Sequence, residues 1–213
     1  MKQILFDLDG TITDSGEGII HCAQKTFADF GLAVPTKEEL RVIVGPPLRQ
    51  SLQKFGICPE DTEQAVEVYR KYYVEYGQYE NIPYPGIEGL LQRLKSRGYQ
   101  LYVATSKPEA MSVEILSYFG LAKYFDVICG STADQRRDTK AKVIEHLLRQ
   151  ISPVPGRIIM VGDTVYDVDG ANALNIPCIG VSWGYGVAED MLRAGAIGIA
   201  DSMDQLYLLI SEF

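Results

Sequence analysis

Histidine is nearly missing from this chain, with two in 213 residues. The four cysteines, Cys22, Cys58, Cys129 and Cys178, stand too far apart to form a CxxC pair. Together these shortages exclude an ordinary zinc site, and the thiols read as reduced and mostly buried. Positive charge is also short: 20 Lys and Arg face 28 Asp and Glu, a formal net charge of -8. A nucleic-acid polymer is thereby excluded as a general partner, because it needs a basic face. An anionic substrate must instead meet local cations or a metal. No apolar run approaches the ~20 residues that span a bilayer. Ile4-Leu5-Phe6 is too short for a signal peptide and reaches acids at once. The expectation is a cytoplasmic protein, monomer or homodimer, with no membrane partner.

What remains is an ordinary globular composition, 46% apolar and 23% charged. Short β-rich apolar runs recur at Ile4 to Leu8, Tyr99 to Ala104, Phe125 to Cys129, Arg157 to Val161 and Cys178 to Val181. Each leads through turn residues into a helical pattern, near 87–97, 108–119, 139–151, 165–175 and 203–212. Continuous apolar strands alternating with helices predict a parallel sheet covered on both faces. Pro108 is placed in a first helical turn, and Gly98 and Gly120 where helices stop.

Residues 16–82 break this rhythm. They hold amphipathic stretches at 17–30, 36–43, 47–55 and 60–79 and no buried strand, so they read as a helical insertion. Tyr69, Tyr72, Tyr73, Tyr76 and Tyr79 fall on one face of its last helix. Pro83-Tyr84-Pro85-Gly86 marks the return to the main domain. The division is therefore a core of 1–15 and 83–213, with an inserted cap at 16–82.

Chemistry concentrates at strand ends. In Phe6-Asp7-Leu8-Asp9-Gly10-Thr11 two acids end the first strand, and a period of two puts both on one side. Unpaired acids at the edge of a core are costly, which implies a partner such as a divalent cation. Alone, such a pair is more often a turn. In Gly162-Asp163-Thr164-Val165-Tyr166-Asp167 a second strand ends in an acid, with another one helical turn on. Asp163 suits a direct magnesium ligand and Asp167 a direct or outer one, whereas Asp169 points elsewhere. Thr105-Ser106-Lys107 offers a hydroxyl and exposed amides at a helix start, an arrangement that by itself is an ordinary cap. Lys140 sits in a first helical turn, where it opposes the helix dipole; a phosphoryl group would explain it, a solvated surface site equally.

Taken together, DLDGT at 7–11, Thr105, Lys140 and GDTVYD at 162–167 resemble the haloacid dehalogenase-like phosphatase superfamily. Gly45-Pro46-Pro47-Leu48, Gly130-Ser131 and Arg137-Asp138-Thr139-Lys140-Ala141 bring the chain nearest to its phosphoglycolate phosphatase and 5′-nucleotidase-like branch. The resemblance implies an α/β, Rossmann-like, doubly wound parallel sheet core carrying an inserted α-helical cap. It also implies a Mg2+-dependent phosphatase for a small phosphorylated metabolite. Asp7 would be the nucleophile and Asp9 the general acid and base. Thr105, Ser106 and Lys140 would hold the phosphoryl group. Asp7, the Asp9 carbonyl and Asp163 would hold the metal. With the core addressing phosphate and metal, the cap is left to read the rest of the substrate, and Arg49 in its Gly45–Arg49 turn is the candidate. A sugar phosphomutase shares all these residues, and a regulatory binding module on the same fold would have lost at least one. A dehalogenase would need neither Asp9 nor a metal.

Overall fold

A computed structural model describes residues 2–213 except 133 and 135. In chain order the elements are β1 (Gln3–Phe6), β2 (Thr13–Asp14), α1 (Gly16–Asp29), α2 (Lys37–Leu40), α3 (Leu48–Lys54) and α4 (Thr62–Glu75). There follow β3 (Ile82–Pro83), α5 (Ile87–Ser96), β4 (Gln100–Pro108), α6 (Glu109–Tyr118), β5 (Val127–Ser131) and α7 (Lys140–Gln150). The chain ends with β6 (Ile158–Gly162), α8 (Val165–Asn172), β7 (Cys178–Val181), α9 (Ala188–Arg193), β8 (Gly198–Ala200) and α10 (Met203–Glu212). Two compact units emerge, one of residues 1–13 and 83–213, the other of residues 14–82.

The first unit is built on a six-stranded sheet in the order β5-β4-β1-β6-β7-β8. All of its ladders are parallel, with Phe6 opposite Val103 on one side and Val161 on the other. Alternation explains why its strands read as unbroken apolar runs. Ile4, Phe6, Val103 and Val161 face the layer holding α5 and α10. Leu5, Tyr102, Ala104 and Met160 face Val143 and Leu147 of α7 and Val168 of α8. Both faces are dry, so truncating a residue such as Leu5 to Ala is a cavity mutation, costing about 2–5 kcal/mol. From β1 the chain winds out through β4 and β5, then returns to the centre and winds the other way through β6, β7 and β8. The winding reverses between β1 and β6, and their carboxyl ends flank the crevice where such folds bind ligands.

The second unit is helical, with α4 packed on α1. Phe27, Leu40, Leu52, Val66 and Tyr73 are buried in it. A methyl group on either Gly18 or Gly77 would lie under 3.0 Å from the facing segment, so the first turn of α1 and residue 77 can approach only as glycines. The expected helix at 60–79 ends earlier, because Tyr76 leaves helical geometry at φ -148. Of its tyrosines, Tyr69 and Tyr73 stack at 5.9 Å inside the unit. Tyr79 is exposed in a separate 3-10 turn, off that face. The expected 36–43 stretch likewise divides into α2, opened by a Thr36–Glu39 capping box, and a 3-10 turn over Arg41–Ile43.

Two more differences from the sequence expectation lie in the first unit. Pro108 ends β4 instead of opening a helix: its ψ of 132 is extended, and α6 starts one residue later. The pair α9 and β8 went unanticipated, since β8 is a three-residue edge strand with no long apolar run.

Candidate active site

Asp7 follows β1 directly, and its amide still donates to Val161 O of β6 at 2.9 Å, so the sheet itself fixes the backbone there. Its Oδ1 accepts from the Leu8 amide at 2.7 Å and lies 2.8 Å from Lys140 Nζ. Thr105, buried near the end of β4, also bonds the Asp7 carboxylate through its hydroxyl. Ser106 follows on the same strand, half-buried.

Lys140 opens α7, and its stem turns inward rather than out to solvent. The neighbouring helix permits this: a methyl group on Gly170 of α8 would lie under 3.0 Å from Lys140 Cβ and Cγ. Nζ reaches Asp7 Oδ1 at 2.8 Å, Asp167 Oδ1 at 2.7 Å and Ala104 O at 3.0 Å. It thus donates to the Ala104 carbonyl and forms ion pairs with the two carboxylates. Burial works against its charge, but Asp167 and Asp7 outweigh burial and hold its pKa above the ordinary lysine range.

Asp163 follows β6 directly, and Asp167 lies in the first turn of α8. The Asp167 Oδ2 accepts from both the amide and the hydroxyl of Thr164 at 3.0 Å, a capping box that aims the other oxygen at Lys140. Asp163 is fully buried, and burial first, then the Asp167 and Asp7 carboxylates, push its pKa well above the ordinary range. The Tyr185 amide donates to Asp163 Oδ2 at 2.8 Å, and the Thr11 hydroxyl contacts Oδ1 at 3.4 Å. Asp7, Asp163 and Asp167 each offer a carboxylate oxygen, and these lie within 4.8 Å of one another. Three buried hard-oxygen donors with one lysine among them are a set that a small divalent cation fits, since it would relieve their mutual repulsion.

Asp9 faces a different partner. Lys107 Nζ lies 3.0 Å from both of its carboxylate oxygens, and both residues are buried. That fork leaves the Asp9 backbone carbonyl as the group it can offer a cation. Within Thr105-Ser106-Lys107 the sequence assigns the Lys107 side chain no role of its own, although it carries a signal. Period-two alternation puts it on the same face of β4 as Thr105. The Tyr185 amide carried no such signal, because a backbone donor leaves no trace in residue type.

Arg49 is in the helical unit, at the start of α3. Its Nε and Nη2 fork onto Glu63 of α4 at 2.6 and 2.8 Å. Asp169 is exposed, and Lys142 is exposed and pairs with Asp138 at 2.8 Å.

Comparison with known proteins places the chain in company. Residues 4–181 match the family described as haloacid dehalogenase-like hydrolase. A 5′-nucleotidase of Pseudomonas aeruginosa is 41% identical over 193 residues, which span 90% of this chain and 87% of the relative. The tyrosine-protein kinase PtkA of Mycobacterium tuberculosis is 40% identical over 207 residues, covering 96% of this chain and 71% of that protein. The crystal structure of a predicted phosphatase from Clostridium acetobutylicum superposes with a TM-score of 0.96 at 42% identity, covering 100% and 99% of the two chains. Among the described residues, no helix is long and apolar enough to cross a membrane.

Proposed function

Since the chain belongs to the haloacid dehalogenase-like hydrolases and is a phosphoric monoester hydrolase, we propose that it works through an aspartyl-phosphate on Asp7, needs Mg2+, and takes a small monoester, a nucleoside 5′-monophosphate foremost. One observation carries this reading. Three carboxylates and one buried lysine converge where the winding of the sheet reverses.

In the first half-reaction an Asp7 carboxylate oxygen attacks phosphorus, and the bond from phosphorus to the ester oxygen breaks. Asp9 delivers a proton to the departing alkoxide, for which its fork with Lys107 has to open. Lys140 and Thr105 hold the phosphoryl group beside Asp7 and offset its charge. In the second half-reaction Asp9 takes a proton from water, which attacks the acyl-phosphate. Inorganic phosphate leaves, and the Asp7 carboxylate returns. Asp7, Asp163 and the Asp9 carbonyl would hold Mg2+, with Asp167 behind them, and the ion would supply positive charge to the phosphoryl oxygens.

Hydrolysis of p-nitrophenyl phosphate with and without Mg2+, by wild type and Asp7→Asn, tests the mechanism. Wild type should turn over, lose activity in EDTA and regain it with Mg2+, whereas folded Asp7→Asn should be inert. Substantial turnover by clean Asp7→Asn would falsify the nucleophile. Full activity after exhaustive chelation sinks the metal. Rates over nucleoside monophosphates, phosphoglycolate and sugar phosphates identify the substrate class. In parallel, ATP with a tyrosine-containing peptide tests whether this chain shares the activity for which its mycobacterial relative is named.

A further inference from the structure

The segment Ser182–Gly186, between β7 and α9, has no role in the reaction described above, yet it touches Asp163 repeatedly. Its Tyr185 amide donates to Asp163 Oδ2 at 2.8 Å. A methyl group on Gly184 would lie under 3.0 Å from Asp163 Oδ2, Asp163 Cβ and Gly10 O. One on Gly186 would lie equally close to the Asp163 carbonyl oxygen. Neither glycine takes a positive φ, so backbone conformation does not demand glycine at either place. Close approach to Asp163 does. Gly10 closes the carboxylate from the other side: a methyl group there would also lie under 3.0 Å from Asp163 Oδ2 and from the Tyr185 ring.

The same segment is tied to the turn that follows Asp7. Trp183 Nε1 donates to Thr11 O at 3.2 Å, and the Trp183 ring lies 6.3 Å from that of Tyr84. Asp163 thus lies in close contact with the Gly10–Thr11 turn on one hand and the Trp183–Gly186 segment on the other.

We propose that the Ser182–Gly186 segment is the positioning element of the metal site. The Tyr185 amide occupies Oδ2, and the glycine walls hold the carboxylate so that Oδ1 is the oxygen presented to a divalent cation. Groups that orient a metal ligand in this way are worth about 10–100-fold in metal affinity or activity. The inference rests on the reading of Asp7, Asp163 and Asp167 as a magnesium site, and its test is built to separate the two.

Gly184→Ala and Gly186→Ala add one methyl group each against Asp163, and Trp183→Phe removes the tie to Thr11 while keeping an aromatic ring. For each variant, two quantities are measured on the full chain: the rise of Tm on titrating Mg2+ without substrate, and the Mg2+ concentration giving half-maximal turnover. The expected result is a shift of about 10–100-fold in both for the glycine variants and a smaller one for Trp183→Phe. Excess Mg2+ should recover most of kcat, and far-UV circular dichroism should be unchanged. A merely structural role would lower the metal-free Tm and the folded fraction without moving the half-saturating concentration, and that outcome overturns the proposal. Where a glycine variant fails to fold, Trp183→Phe decides by the same criterion. If wild type shows no Mg2+-induced rise of Tm, the metal reading itself fails and takes this inference with it. If wild type responds and the variants respond identically, only the positioning role is lost.

Discussion

Lys107 holds Asp9 by both carboxylate oxygens at 3.0 Å, with the two side chains 5% and 12% exposed. A pair this buried is strongly coupled, and removing one partner strands the other. The double variant Lys107→Met/Asp9→Asn should therefore lose less stability than the sum of the losses of Lys107→Met and Asp9→Asn. The expected coupling energy is of order 0.5–3 kcal/mol. Urea unfolding of all four proteins provides the cycle, and strict additivity would show that the fork contributes nothing.

The general-acid role of Asp9 makes a prediction about leaving groups. Asp9→Asn should slow hydrolysis of an alkyl phosphate by about 10²–10⁴-fold. The loss should shrink for p-nitrophenyl phosphate, whose leaving group needs little protonation. Equal losses on the two substrates would remove the acid role while leaving Asp7 as the nucleophile.

Lys140 is bound to both Asp7 and Asp167, so its removal has two consequences. Lys140→Met leaves the two buried carboxylates without their shared cation, which should destabilise the metal-free protein by about 3–5 kcal/mol. Because Mg2+ would supply positive charge to the same carboxylates, part of the lost Tm should return on adding it, while turnover stays low. Calorimetry in EDTA and in excess Mg2+ reads the first effect. A variant as stable as wild type in EDTA would mean that solvent replaces the lysine.

Arg49 lies on Glu63 within the helical unit, in a fork whose Glu63 side is exposed to solvent screening and therefore adds little to stability. Arg49→Ala should thus leave Tm within a few degrees of wild type. If the arginine reads substrate, kcat/KM for the preferred monoester should fall while that for p-nitrophenyl phosphate holds. Loss on both substrates would make Arg49 a phosphate or structural residue, and no loss on either would pass the role to other residues of 14–82.

Sequence alone determined the parallel α/β core, the helical insertion, and the positions of Asp7, Thr105, Lys140, Asp163 and Asp167 at strand ends and helix starts. These properties are local. An apolar run in a sheet covered on both faces, a period of two, and an acid one turn into a helix are all written in neighbouring residues. Tertiary structure decided which charges meet. Lys140 and Asp167 are 27 positions apart and join only because Gly170 clears a path for the lysine stem. Lys107 lies 98 positions from Asp9 and finds it because β4 pairs with β1 in register. The grip on Asp163 depends on a backbone amide and on glycines whose single property is the absence of a side chain. A sequence shows where such residues stand, but only the folded chain shows what they stand against.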